Sequence, residues 1–293
     1  MNRRLFLKLL GMSSIFYQSL LRDLAAAEMP MVAVAEGKDF AGITVRALAM
    51  LGGMGRFVRP GATVVVKPNM GWDRSAEQGA NTHPLVVRTV VDECLKAGAK
   101  RVKVFDRTCN DERRCYVNSG IGPALRGMKN VDVKYLEHER FRKVTLNGRV
   151  LKEWELYGEA LSADVYINVP VAKHHGLTGL TLGMKNVMGI MGGNRGSIHK
   201  HIDVALADIN AVFRPHLTII DATRILTAHG PQGGDLRDVK VLNRVIASTD
   251  IVAADAYATT LFGMRPDEIA VTVTAHRRGL GEMDLKKINV VKV

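Results

Sequence analysis

From Met31 onward the chain alternates short β-rich runs with amphipathic stretches. VAVAE at 32–36 reads as a strand, and 40–54 reads as a helix with apolar Val45, Leu48, Ala49 and Leu51 on one side. ATVVVKPN at 62–69 predicts a buried strand ended by Pro68. Residues 83–97 predict an amphipathic helix with Thr82 as N-cap, Pro84 in its first turn and Gly98 closing it. RVKVFD at 101–106 is the next strand, followed by a helical segment at 113–126 and a strand at 131–136. Asn147-Gly148, the dipeptide of a type I′ turn, centres a hairpin over 143–154. ADVYINVPV at 163–171 is the most apolar strand. Helices are expected at 180–188, 199–212 and 251–262, and strands at 216–221, 243–249 and in the closing INVVKV.

Continuous Val and Ile strands alternating with helices indicate α/β architecture: a mainly parallel, Rossmann-like open sheet with helices on both faces. The hairpin and the glycine-rich region after Gly183 can cap one end. The fingerprint G-x-G-x-x-G is missing after the first strand, which argues against an ordinary nicotinamide or flavin site.

The first residues add a separate signal. MNRRLFLKLLGMSSIFYQSLLRDLAAAE carries Arg3-Arg4, then Phe6, Leu7 and Lys8, an apolar run to Leu21, and Ala25-Ala26-Ala27. This is the layout of an export signal cleaved after Ala27, and the paired arginines resemble the twin-arginine type. It predicts a periplasmic protein made of a signal at 1–27 and a single α/β domain at 28–293. The competing reading is an amphipathic N-terminal helix or a retained anchor, although an apolar run of roughly 13 residues is short of the roughly 20 that a span needs. No membrane span is expected after cleavage.

At 47% hydrophobic residues, 293 residues can bury a full core. The formal net charge is +12, and loss of the signal, with four basic residues against one acidic, leaves +9. Such a balance favours acidic partners. Only 5% aromatic residues and no Lys/Arg-rich block argue against dedicated nucleic-acid binding. Cys94, Cys109 and Cys115 form no C-x-x-C pair and cannot supply four thiolates, so an iron–sulfur cluster is not expected. Cys109 and Cys115 can pair in an oxidising compartment, leaving Cys94 as a core thiol.

In open α/β sheets ligands bind beyond the carboxyl ends of the strands. Lys67 and Asn69 close one predicted strand, Asp106 another, Asp221 a fourth, and Ser248 with Asp250 a fifth; Lys173, His174 and His175 follow a third. Parallel strands would bring all five groups to one rim. Taken singly, such residues often only end strands or cap helices. His174 and His175 point in opposite directions on an extended chain, so at most one of them faces the site. Lys185 and Asn186 sit on a short predicted helix whose other face is apolar. Downstream, Ser197 is a plausible N-cap for a helix that would place His199 and Asp203 at i, i+4 on one face, a spacing that can hold a metal.

KPN at 67–69, THP at 82–84, NVPVAKHHGLTG, MKNVMG at 184–189, RPHLTIIDA at 214–222, GPQGG at 230–234 and ASTDIVAADA at 247–256 together resemble the domain-of-unknown-function 362 family, in that family's order. The resemblance implies a fold distantly similar to the lactate racemase superfamily, whose members use a nickel-pincer nucleotide tethered to lysine and held with histidine. Lys173, His174, His175, Lys185 and His199 are residue types that such chemistry needs.

Two functions compete, ahead of a third, nucleic-acid or membrane-surface association through the basic face. The first is an exported enzyme, an isomerase or a redox-linked enzyme, acting on a small anionic substrate. Here a histidine of the Lys173–His175 cluster is the general acid/base. Lys67, Asn69, Lys185, Asn186 and Asp106 bind the ligand, and His199, Asp203, Asp221 and Asp255 are candidate metal ligands. The second is a non-catalytic binding protein for a metal or anionic cofactor. Oligomeric state is not legible.

Overall fold

The runs of valine and isoleucine form strands covered on both sides, and their alternation divides the interior in two. In a computed structural model describing residues 29–293, Val32 and Val34 face one core while Ala33 and Ala35 face the other. Burial of apolar surface on both faces at roughly 25 cal/mol per Å² is the main force holding the layers.

In chain order the elements are β1 (Met31–Glu36), α1 (Phe40–Met50), β2 (Thr63–Pro68), α2 (Pro84–Lys96), β3 (Arg101–Val104), α3 (Glu112–Asn118), α4 (Ile121–Leu125) and β4 (Val131–Val133). There follow β5 (Phe141–Thr145), β6 (Glu153–Tyr157), α5 (Gly158–Leu161), β7 (Val165–Val169), β8 (Val171–His175), β9 (Gly179–Thr181) and α6 (Gly183–Asn186). The chain closes with α7 (Ile202–Val212), β10 (Leu217–Leu226), β11 (Val239–Ser248), α8 (Ile251–Thr259), α9 (Ala270–Arg277) and β12 (Asn289–Lys292).

The main sheet runs β12-β1-β11-β10-β7-β2-β3-β4. Its pairings are parallel except those of β11, which is antiparallel to both neighbours. The mostly parallel α/β sheet expected from the sequence is therefore present. Helices α1 to α4 contribute to the core on one face, and α6 to α9 to the core on the other. The predicted hairpin forms as β5–β6, with Asn147 in the left-handed region at φ 48°.

Several local expectations change. Thr82 does not cap α2: His83 does, its Nδ1 accepting from Leu85 N–H, while the Thr82 hydroxyl accepts from Asn69 N–H and donates to Val169 O. That hydroxyl ties the ends of β2 and β7 together. The helix expected over 180–188 begins only at Gly183, after β9, and runs on through a 3-10 turn over Val187–Ile190, because Asp255 accepts from the N–H groups of Gly183 and Met184 and fixes the start there. A Cβ on Gly183 would approach Asp255 Oδ1 to 2.7 Å, so this capping requires glycine. The helix expected from 199 starts at Ile202. Helix α9, with its β-branched AVTVT start, was not expected and joins α7 through a Thr274–Asp203 hydrogen bond. Cys94, Cys109 and Cys115 are all free, so Cys109 and Cys115 are not paired.

Candidate functional site at the carboxyl edge of the sheet

Strand β2 delivers Lys67 as its last lysine, on the sheet face shared by its register partner Asn168 in β7. Both residues are buried, and Asn186 from α6 comes down between them. Lys67 Nζ lies 2.9 Å from Asp106 Oδ1 and donates to Asn186 Oδ1 at 2.6 Å. Asn186 Nδ2 donates onward to Asn168 Oδ1 at 2.8 Å. Asp106 Oδ2 accepts from Met70 N–H, so the carboxylate is held on both oxygens. Gly189 covers the pair: a Cβ there would collide with Asp106 Oδ1 and with the Lys67 ammonium. Burial lowers the Lys67 pKa, against the pull of Asp106. This ion pair is the floor of the site.

A second lysine is held differently. β8 continues the line of β7 beyond Pro170 and folds back on β9, pairing Lys173 with Thr181 and His175 with Gly179. Alternation puts Lys173, His175 and Thr181 on one face of this hairpin and His174 on the other. The first three line a cavity of about 480 Å³, together with Lys67, Asn69, Asp106, Lys185, Asn186, Arg195 and His199. Lys173 Nζ donates to Ala80 O and, at 3.3 Å, to Asn69 Oδ1, and lies 5.7 Å from the centre of the Trp72 ring. No carboxylate pairs with it among the described residues. Burial brings its pKa down to about 7.

Lys185 at the cavity wall donates to Met188 Sδ at 3.5 Å and to no oxygen among the described residues, and burial lowers it to about 8. Arg195 spends its guanidinium on the carbonyls of Arg107, Met188 and Thr108 and on Cys109 Sγ, and no carboxylate among the described residues neutralises its charge. His175 Nδ1 accepts from Leu177 and Thr178 N–H, which leaves the ring proton on Nε2. Burial, reinforced by Lys185, pushes His175 down to about 3. It is therefore a neutral donor near pH 7. Its ring stacks on His199 with centroids 6.2 Å apart.

The structure thus gathers Lys67, Asn69, Asp106, Lys173, His175, Lys185, Asn186 and His199, and separates the rest. His174 faces away, its Nδ1 accepting from Gly230 N–H. Asp221 turns under α2, accepting from His83 N–H at 2.6 Å and from Thr223 N–H, and burial raises its pKa. Asp255 caps α6, and burial raises it to about 7 against its N–H bonds. Asp203 accepts from Thr274, and His199 precedes the helix that carries Asp203, so the expected i, i+4 pair does not exist. Ser248 and Asp250 lie at the opposite edge, because β11 runs antiparallel: Ser248 donates to Met31 O at the start of β1, and Asp250 caps α8. Among the described residues no group of three or more His, Cys, Asp or Glu is placed to hold a metal ion. His199, Asp203, Asp221 and Asp255 do not form the metal centre envisaged, and no chemistry is routed through one. Arg195, Trp72, Thr181 and Cys109 belong to the cavity without having been expected there.

The model of a domain of unknown function, DUF362, matches residues 64–260, which hold every residue of the cavity. The chain belongs to the DUF362 family. A thylakoid-associated protein of Synechocystis is 30% identical over 241 residues, which cover 80% of this DUF362 chain and 73% of that protein. Among solved structures, the lactate racemase apoprotein of Thermoanaerobacterium thermosaccharolyticum is similar, with a TM-score of 0.47 and 11% identity. That likeness covers 76% of the present chain and 55% of the other. The export signal expected from the sequence falls on residues outside those described, and no described helix is long and apolar enough to cross a membrane.

Proposed function

We propose that this DUF362 protein is an enzyme acting on a small carboxylate or phosphate anion, with Lys173 as its general acid/base. One observation carries this reading: Lys173 and Lys185 face a cavity of about 480 Å³ and have no carboxylate partner among the described residues. A cation taken partly out of water without a counter-charge is costly, and a bound anion supplies the missing charge. Arg195 adds to the same field. The amine of Lys173 exchanges protons near neutrality, as a general base must. His175 cannot fill the role first expected of it, since its Nδ1 is occupied and its ring stays neutral; it donates from Nε2 to substrate oxygen instead.

The test is thermal unfolding with oxalate and with phosphate. One of them should raise the midpoint of the wild-type protein, by an amount corresponding to roughly 2.7 kcal/mol at a hundred times Kd, and Lys185→Gln should lose most of that rise. No rise with either anion would exclude the reading, whereas stoichiometric binding without turnover of any bound anion would point to the non-catalytic carrier.

We further propose that residues 1–27 direct twin-arginine export, on the strength of Arg3-Arg4 ahead of the short apolar run. Arg3-Arg4→Lys-Lys should retain the protein in the cytoplasm. Mature protein in unchanged amount outside it would refute the assignment.

A further inference from the structure

We propose that Lys173 is a covalent site: its amine forms an imine with the carbonyl carbon of a small anionic aldehyde or 2-oxo acid whose charged group rests against Lys185. The inference rests on the anion-site reading and names the substrate class that fits it.

Three features of the geometry point to it. First, Lys173 Nζ has two oxygen acceptors, Ala80 O and Asn69 Oδ1, which engage two of its N–H bonds. Besides the bond to Cε, one tetrahedral direction remains, and Lys173 lines the cavity. In the neutral amine that direction holds the lone pair, and burial makes the neutral form accessible at pH 7. Second, Thr181, the cross-strand partner of Lys173, lines the same cavity, is 4% exposed, and has an Oγ1 with no hydrogen-bond partner. Thr218 and Thr272 also hold unpaired buried hydroxyls, but among the described residues it is that of Thr181 which lines the cavity, where a bound group can satisfy it. Third, His175 presents Nε2–H from the same hairpin face. Two donors thus line the same cavity as the amine, available to the oxygen of an attacked carbonyl.

The step balances without a redox partner. The amine lone pair attacks the carbonyl carbon, and the C–N bond forms as the C=O π bond breaks. The oxygen of the resulting carbinolamine takes up the two protons originally on nitrogen and leaves as water, giving C=N. Once protonated on nitrogen, the imine draws electrons from a neighbouring C–H bond, which eases proton removal there.

The other lysines fit this role less well. Lys67 is committed to Asp106 at 2.9 Å and sits under Gly189. Lys185 has no oxygen acceptor to orient its amine, and its pKa, about 8, keeps more of it as the ammonium that an anion needs.

Glyoxylate, a small anionic aldehyde, with cyanoborohydride converts an imine into a stable secondary amine that peptide mass mapping locates. The wild-type protein should show one saturable modification, on Lys173, slowed by oxalate. Thr181→Val, which keeps the shape and removes the hydroxyl, should slow trapping by about tenfold. Modification confined to surface lysines, or on Lys185 in place of Lys173, would overturn the proposal, as would an unchanged trapping rate in Thr181→Val. If trapping fails while oxalate still raises the wild-type unfolding midpoint and Lys185→Gln abolishes that rise, the imine is refuted and the anion site stands. If neither oxalate nor phosphate raises the midpoint, both fall.

Discussion

The floor and the wall of the cavity each present a fully buried lysine, and they solve the problem of its charge in opposite ways. On the floor, Lys67 is matched by Asp106 at 2.9 Å, the carboxylate is held by Met70 N–H, and Asn186 satisfies a further proton. On the wall, Lys173 meets only the neutral oxygens Ala80 O and Asn69 Oδ1. A lysine with an internal counter-charge is a structural fixture that locks β2 to the Asp106 loop. A lysine without one stays cationic only at a cost, and gives up its proton or waits for an anion. The same residue type, a few ångströms into the same edge of the sheet, is in one case architecture and in the other a site.

The largest effect expected from breaking this contrast is on the floor. Lys67→Met leaves Asp106 buried at 4% exposure with its cation removed, and should destabilise the fold by about 3–5 kcal/mol. Urea unfolding of the variant measures it. A loss under about 1 kcal/mol would show that Asp106 does not depend on Lys67 and that the two lysines are not distinct in kind.

How far was this contrast legible in the sequence? A charged residue leaving a run such as TVVVK or NVPVAK has no route to solvent along the strand, so Lys67 and Lys173 were marked by their position alone. Asp106 followed from the same argument. Strand direction was not legible: an apolar run looks the same read up or down a sheet, so the antiparallel course of β11 was invisible, and Asp250 was placed on the wrong edge. Asp221 shows another limit, because its partner is the backbone N–H of His83, 138 residues away. Trp72 reaches the cavity from a loop and Arg195 from the start of a short 3-10 helix (Arg195–His201), where no long periodicity fixes a direction, and the choice between His174 and His175 depended on the strand continuing past Pro170. The pairing of Lys173 with Thr181 needed the β8–β9 turn, in a segment whose apolar residues read as a helix.

A smaller effect, with a definite sign, is expected on the wall. At pH 7 Lys173→Met should cost only about 1–2 kcal/mol, since it removes hydrogen bonds to two neutral oxygens and strands no carboxylate. The variant should instead change how stability depends on pH. Lys173 titrates near 7 in the folded chain, against an ordinary value of 10.5. Between those values the unfolded chain binds more protons than the folded one, so the Lys173 contribution to stability rises with pH, by up to about 1.4 kcal/mol per unit. Below about pH 7 both states are protonated, and the full cost of burying the ammonium remains. Lys185 adds a slope of the same sign, while Asp255, raised to about 7, contributes one of opposite sign below that pH. Comparing wild type with Lys173→Met cancels both. Unfolding free energies from about pH 7 to about pH 9 should show the wild type gaining roughly 2 kcal/mol over the variant. Parallel pH curves would mean that Lys173 keeps its proton throughout, and the wall would then carry a fixed cation, suited to holding an anion but not to exchanging protons with it.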